Sequence, residues 1–455
     1  MSEIVLHPQE RLSPFNHTKT MAPRRRVIID TDPGNDDVIA ILLALAAPAS
    51  ELEVMMISAV AGNVDVRACL RNIVAIFHIL EKEVEWREAN GVPVGYEGAT
   101  AYKPIVAIGA NEPLHDRTEN ADYFHGLDGM GGSTETHPQF NPDESWKQLF
   151  EKPPPEDELT RTAKQTSDVE KDKFRNFIPS LEPAHKEILR LLRENEPDTI
   201  SLVSIGPLTN LALAAAEDPE TFLRCREVIS MGGVVDGFGN VTPNAEFNVW
   251  ADPHAAARVY ALTSPKPSST MPLTKEDFAG RELPPYPAKL SKQLKLVLMS
   301  LDITEQHVIT RSLFLGKSEE IALRGSPLAQ WMRAFLIPML DKMASLHHGH
   351  DDDAAFQLHD PLCIYYLLTE TDPSWKESAG SPEDIRVETQ GQWTKGMTVG
   401  DKRPRRRRNS DGEVPHDRGN WLGRVSGNRI MRMLESPGKD EVGTWMLDRI
   451  LGYVQ

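Results

Sequence analysis

VIIDTDPGNDDVIAILLAL, residues 27–45, decides how the rest of the chain is read. A β-branched run from Val27 to Ile29 enters a polar turn, and an apolar run with helical spacing, Val38 to Leu45, leaves it. A strand feeding a helix through a short turn is the repeating unit of an α/β fold. The turn carries four carboxylates, Asp30, Asp32, Asp36 and Asp37, and Gly34 is expected to let the backbone reverse sharply between them. Asp30 and Asp32 are two apart on a strand end, which predicts that both point to one side, while Asp36 and Asp37 open the helix. One aspartate here would be an ordinary cap, favoured by the helix dipole by about 1 kcal/mol. Four are too many for that explanation, because each carboxylate pair held about 4 Å apart costs on the order of 4 kcal/mol at an effective dielectric of about 20. A cation is therefore expected. Oxygen ligands without histidine or thiolate select a hard ion, calcium or magnesium, and several converging protein oxygens favour calcium.

Outward from this turn the same alternation continues: LEVMMISAV then VRACLRNIVAIFHILEK, TISLVSI then LTNLALAAAED, EVISMGG then DPHAAARVYAL. The pattern predicts an α/β fold with an open, mostly parallel sheet flanked by helices and a crevice at the C-terminal ends of the strands. Residues 1–22 are polar and unpatterned and read as a disordered leader; residues 23–455 read as one domain. Three stretches break the alternation, at about 135–180, 263–288 and 400–418, and read as surface insertions or mobile loops.

Composition narrows the function. With 455 residues, 40% of them hydrophobic, a large core is available, and a net charge of −17 argues against a nucleic-acid or acidic-membrane surface. No run approaches a membrane span and the N-terminus lacks a secretory apolar core, so a cytoplasmic protein is expected; the basic cluster at 403–408 offers a nuclear address as the minor alternative. Cys69, Cys225 and Cys363 have no paired spacing and read as buried thiols. FHGLDGMGG, Phe124 to Gly132, lacks the Gly-Lys-Ser/Thr ending of a phosphate loop. HHGHDDD, residues 347–353, has no rigid ligand spacing and reads as a solvated loop.

DTDPGNDD resembles the opening signature of the nucleoside hydrolase family, the inosine-uridine preferring type. Three further segments follow in that family's order: AVAGN ending at Asn63, GNVTPNAEFNVWADPHAA from Gly239 to Ala256, and LHDP from Leu358 to Pro361. The resemblance implies a calcium ion held by Asp32, Asp37, Asp360 and the main-chain carbonyl of Ile205, where relatives usually carry threonine. It places Asp36, Asn63, Asn240, Glu246 and Asn248 on ribose and His125 in the pocket lining. It implies a homodimer or homotetramer and a small-molecule ribonucleoside as substrate. The segment PLAQWMRAFLIPMLDKMASL, where related enzymes often place polar residues over the nucleobase, is largely apolar here.

The expected reaction is calcium-dependent hydrolysis of the N-glycosidic bond, with Asp32 as general base and His359 assisting the departing base by donating a proton or by binding it. Purine, pyrimidine and nicotinamide ribosides remain open as substrates. One alternative is a calcium-dependent nucleoside or ribose binder without turnover. Another is a haloacid-dehalogenase-like phosphatase, which also begins with strand-D-x-D but expects threonine or valine where Gly34 stands.

Overall fold

In the computed structural model the described residues are 24–115, 117–151, 176–272, 283–346, 354–405, 408 and 414–452. The expected leader and the 347–353 tract lie outside them. The strands are β1 Arg25–Thr31, β2 Leu52–Ala59, β3 Ile105–Ile108, β4 Ile178–Pro179, β5 Ile200–Ser204, β6 Glu227–Met231, β7 Leu296–Met299, β8 Val308–Thr310, β9 Ala355–Gln357, β10 Lys376–Glu377, β11 Ile385–Val387, β12 Thr398–Gly400 and β13 Ile430–Glu435. Nine of them form one sheet in the order β10-β13-β7-β6-β5-β1-β2-β3-β4. Neighbours are parallel except β10, which runs antiparallel on β13.

Strand periodicity builds the core on both faces at once. Val27 and Ile29 of β1 join a cluster with Ile57, Val203, Ile229 and Val297, whereas Ile28 faces the other way with Met56, Leu202, Val228 and Leu296. Helix α1, Asn35–Ala46, is buried along nearly its whole length in the first cluster, with α2, Val66–Asn90, and the helices Pro327–Leu346, Pro361–Thr369 and Val442–Leu451. Helices Ala184–Glu194, Thr209–Glu217 and Pro253–Ala261 cover the opposite face. The apolar segment PLAQWMRAFLIPMLDKMASL forms the helix Pro327–Leu346, and Trp331, Met332, Phe335, Leu336 and Met339 on it are core residues. Core packing accounts for its composition.

The chain leaves β1 outward through β2, β3 and β4, then returns to β5 on the other side of β1. β1 and β5 therefore flank the topological switch point, where diverging connections leave a crevice beyond the carboxyl ends of the strands.

Of the three interruptions, residues 152–175, 273–282, 406–407 and 409–413 lie outside the described residues, while the described parts of the first two contribute buried side chains. After Ser133 the chain forms short helical turns at Pro138–Phe140 and Glu144–Phe150, and Phe140, Trp146 and Phe177 are buried. Phe177 lies 5.1 Å from Phe77 of α2, centroid to centroid. Irregularly spaced aromatics give no periodic signal, so this packing was not legible as structure. Near the second interruption, Thr263 and Ser264 are buried and Arg258 sits over the Tyr286 ring at 5.0 Å. In the basic stretch, Arg403 is ion-paired to Asp401 and Asp417, and Lys402 to Asp236.

Candidate metal centre and active site

Asp32, Pro33 and Gly34 join β1 to α1, and this three-residue link sets the site. Gly34 has φ −95°, so its role is space and not a left-handed turn: a Cβ there would lie 2.6 Å from His125 Nδ1 and 2.9 Å from Asn63 Nδ2. Asp37 closes the link from within α1. Its Oδ1 accepts from Thr31 Oγ1 at 2.5 Å and Asp32 N at 3.3 Å, and its Oδ2 from Gly34 N and Asn63 Nδ2, both at 3.0 Å. Asp32 Oδ2 accepts from Asn63 N at 2.7 Å, while Oδ1 is buried without a hydrogen-bond partner.

Asp360 enters from the far end of the chain, at the start of the helix Pro361–Thr369 that packs against α1. Carboxylate oxygens of Asp36, Asp37 and Asp360 lie within 4.8 Å of one another, and all three residues are buried. Asp32 is not one of that trio but interacts electrostatically with Asp37 and Asp36. The grouping does not separate Asp36 as a sugar ligand from Asp37 and Asp360 as cation ligands; all three offer oxygen to the same point.

Burial first, and mutual repulsion next, raise the pKa of Asp32 and Asp36, the latter to about 7, and burial raises Asp37 and Asp360 as well. Asp30 stands apart, contrary to the expectation that it shares a side with Asp32. Its Oδ1 accepts from Ser58 Oγ at 2.5 Å and Asn210 Nδ2 at 2.8 Å, hydrogen bonds that hold it between β2 and the helix Thr209–Glu217. Strand alternation stops at Thr31, the last residue of β1, which is why the two-residue spacing misled.

The trio fits a hard cation on three grounds. Its donors are all carboxylate oxygens, Asp32 Oδ1 has no partner, and the backbone leaves a cradle around Asp32. A Cβ at Gly62 would sit 2.1 Å from Asp32 Oδ2, and one at Gly206 would sit 2.4 Å from Oδ1. Ile205 follows β5 directly, its N–H donating to Asp30 O at 2.9 Å. Its carbonyl accepts from Asn248 Nδ2 at 3.2 Å, which brings the expected carbonyl ligand and an expected sugar ligand into contact.

The remaining residues are placed as follows. Glu246 caps the helix Phe247–Ala251: its Oε1 accepts from Asn248 N at 2.7 Å, and its Oε2 from Gly233 N at 2.7 Å and Val249 N at 3.1 Å. Asn240 is exposed, with Oδ1 3.0 Å from Phe247 N. His125 Nδ1 accepts from Asn35 N at 3.3 Å, so the neutral ring carries its proton on Nε2; burial first, then His359, pushes its pKa down to about 3. His359 Nδ1 lies 2.8 Å from Thr304 Oγ1, and burial pushes its pKa down to about 4. In the glycine-rich loop, Asp128 takes the N–H groups of Met130, Gly132 and Thr134 at 2.9 Å each, so the chain's own carboxylate occupies the anion position of that loop. Sequence reading missed Thr31 and Thr304, since single hydroxyls carry no spacing that distinguishes them.

Fold and site together define an open α/β protein with a buried all-oxygen crevice at the switch point of its sheet. The chain belongs to the inosine-uridine preferring nucleoside hydrolase family, whose sequence pattern matches residues 27–419. It is 29% identical over 379 residues to an uncharacterised protein of Schizosaccharomyces pombe, covering 83% of this chain and 89% of that one. It is 28% identical over 378 residues to the non-specific ribonucleoside hydrolase RihC of Escherichia fergusonii, covering 83% and 88%. Among solved structures, a plant nucleoside hydrolase, PpNRh1, superposes with a TM-score of 0.61 at 22% identity over 94% of this chain and 99% of that one. An inosine-guanosine nucleoside hydrolase does so with 0.59 at 20% identity over 95% and 100%. Among the described residues no helix is long and apolar enough to cross a membrane.

Proposed function

We propose that this protein hydrolyses the N-glycosidic bond of ribonucleosides to ribose and free nucleobase, with calcium as its resident cation. The observation that carries the reading is the buried Asp36, Asp37 and Asp360 trio beside a partnerless Asp32 oxygen at the switch point. Asp32, Asp37, Asp360 and the Ile205 carbonyl would hold the ion, with Asp36 close enough to join them. Bound there, the ion would acidify a water and orient the ribose hydroxyls.

Asn63 holds Oδ2 of Asp32, which leaves Oδ1 to take the proton of the attacking water. Water oxygen bonds to C1′ as its proton passes to Asp32, the C1′–N bond breaks, and its electron pair leaves with the base, which takes up a proton as Asp32 returns its own to solvent. The crowded carboxylates favour the positive charge that develops on the sugar. Asp36, Asn63, Asn240, Glu246 and Asn248 are assigned to ribose. His125 and His359 are assigned to the base side. Burial pushes the pKa of His359 down to about 4, and the ring assists the departing base by donating a proton or by binding it.

The substrate class follows the family, and the RihC relative of Escherichia fergusonii, named a non-specific ribonucleoside hydrolase, supports a broad base range. The same resemblance extends the proposal to a homodimer or homotetramer, which sedimentation decides. A reducing-sugar assay on uridine, cytidine, inosine, adenosine and nicotinamide riboside tests the function. We expect sugar release that Asp32→Asn lowers by about 10²-fold or more. Nucleoside binding by the wild-type protein with no sugar release from any substrate would overturn hydrolysis in favour of the binder.

A further inference from the structure

We propose that the four-residue helix Leu301–Thr304, directly after β7, positions both halves of the site: Asp302 fixes the loop that meets the sugar, and Thr304 fixes the His359 ring that meets the base. The inference rests on the hydrolase reading and names two residues that reading does not use.

On the sugar side, Asp302 is an acceptor for a whole turn. Its Oδ1 takes the N–H groups of Asp236 at 2.8 Å and Gly237 at 2.9 Å; its Oδ2 takes Val235 N at 3.0 Å and Ser300 Oγ at 2.6 Å. Arg432, buried and paired to Glu383 and Asp236 at 2.7 Å each, also reaches Asp302 Oδ2 at 3.3 Å. The next peptide back is clamped as well, since Leu301 N donates to Gly233 O at 2.9 Å while Gly233 N donates to Glu246. This turn leads straight into the segment bearing Asn240, Glu246 and Asn248. A carboxylate gathering consecutive backbone N–H groups sets loop geometry that side-chain packing alone would leave loose.

On the base side, Thr304 is buried and its hydroxyl is 2.8 Å from His359 Nδ1. Thr304 acting as the donor in this contact would put the ring proton on Nε2 and leave that nitrogen for a base. The segment before His359 is tied to the same element: Leu358 N donates to His307 O at 2.9 Å, and His307 Nδ1 donates to Ile303 O at 2.9 Å. Both are positioning residues; neither is placed on substrate.

The test uses the full calcium-loaded chain with a natural nucleoside and with 4-nitrophenyl riboside, whose leaving group needs no hydrogen bond. Thr304→Val should lower kcat on the nucleoside about 10- to 100-fold while leaving the nitrophenyl riboside within about 2-fold, and Thr304→Ser should recover most of the loss. Asp302→Asn should instead raise KM about 10-fold on both substrates with kcat little changed, and the milder Ser300→Ala should shift KM the same way should Asp302→Asn not fold. Nitrogen-15 NMR of labelled histidine gives a readout without turnover: His359 should be the Nε2–H tautomer in the wild type and Thr304→Ser, and mixed in Thr304→Val. Parallel losses on both substrates in Thr304→Val, or an unchanged tautomer, would overturn the base-side half. An unchanged KM in both sugar-side variants would overturn the other. A wild type idle on every riboside would fail the hydrolase reading, and the inference with it, whereas an active wild type with these negative results fails the inference alone.

Discussion

Burial and crowding disfavour the charged form of Asp36 and its neighbours, and this sets the sign of their pH dependence. Burial first and Asp37 next raise the Asp36 pKa from 3.8 to about 7, and Asp32, Asp37 and Asp360 shift the same way. A group whose folded pKa is raised contributes stability that is present below its unfolded value and lost as pH rises through its folded value. The metal-free protein should therefore lose stability across about pH 4 to 7, while a bound cation relieves the repulsion. The Tm gap between calcium-loaded and chelated protein should narrow as pH falls from about 7.5 to about 5, as protons take the place of the ion. His78, His125 and His359, lowered to about 4, 3 and 4, destabilise both forms below about pH 6.5. Scanning calorimetry of both forms checks this; a gap independent of pH would contradict it. At this scale the acids of the turn were legible because like charge at one turn demands an explanation. Asp360 became visible only through the family resemblance, since a lone His-Asp carries no signal. Asp30 was grouped wrongly because its partners, Ser58 and Asn210, come from elements that one strand does not reveal.

Between elements, a buried polar link runs from α2 to the helix Pro327–Leu346. Glu83 Oε1 pairs with Arg87 Nε at 2.7 Å, and its Oε2 accepts from Ser326 Oγ at 2.7 Å and Leu328 N at 3.1 Å, capping that helix. Arg87 also donates to Val94 O at 3.2 Å and Ile450 O at 3.3 Å. Removing one member of such a pair strands the other, so Arg87→Met should cost about 3 to 5 kcal/mol, and adding Glu83→Gln should cost less than the sum of the two changes. Urea unfolding measures both; a loss below about 1 kcal/mol for Arg87→Met would show the link to be dispensable. The helix itself was legible from its apolar spacing. Its polar anchors were not, because Glu83 and Arg87 look like any surface i, i+4 pair until both are found buried. The aromatics after Ser133 were hidden for the converse reason: Phe140, Trp146 and Phe177 are buried, but their spacing matches neither strand nor helix.

Across the whole molecule, alternating strands and helices announced a parallel sheet, and the order β5-β1-β2 then fixes where the crevice must open. Strand order was not legible, because it depends on which side of β1 the chain returns to after β4, a contact between segments far apart in sequence. Asp32 from the first link and Gly206 just after β5 come together through that return, a Cβ at Gly206 falling 2.4 Å from Asp32 Oδ1. We propose that this crevice, with its Asp36, Asp37 and Asp360 trio, holds a calcium ion on which riboside hydrolysis depends. This is tested most directly by measuring bound metal and ribose release on one purified sample, as isolated, after chelation and after calcium is restored. About one calcium per chain is expected, with sugar release lost with the metal and regained on its return; metal-free protein that hydrolyses nucleosides at the same rate would overturn the calcium assignment.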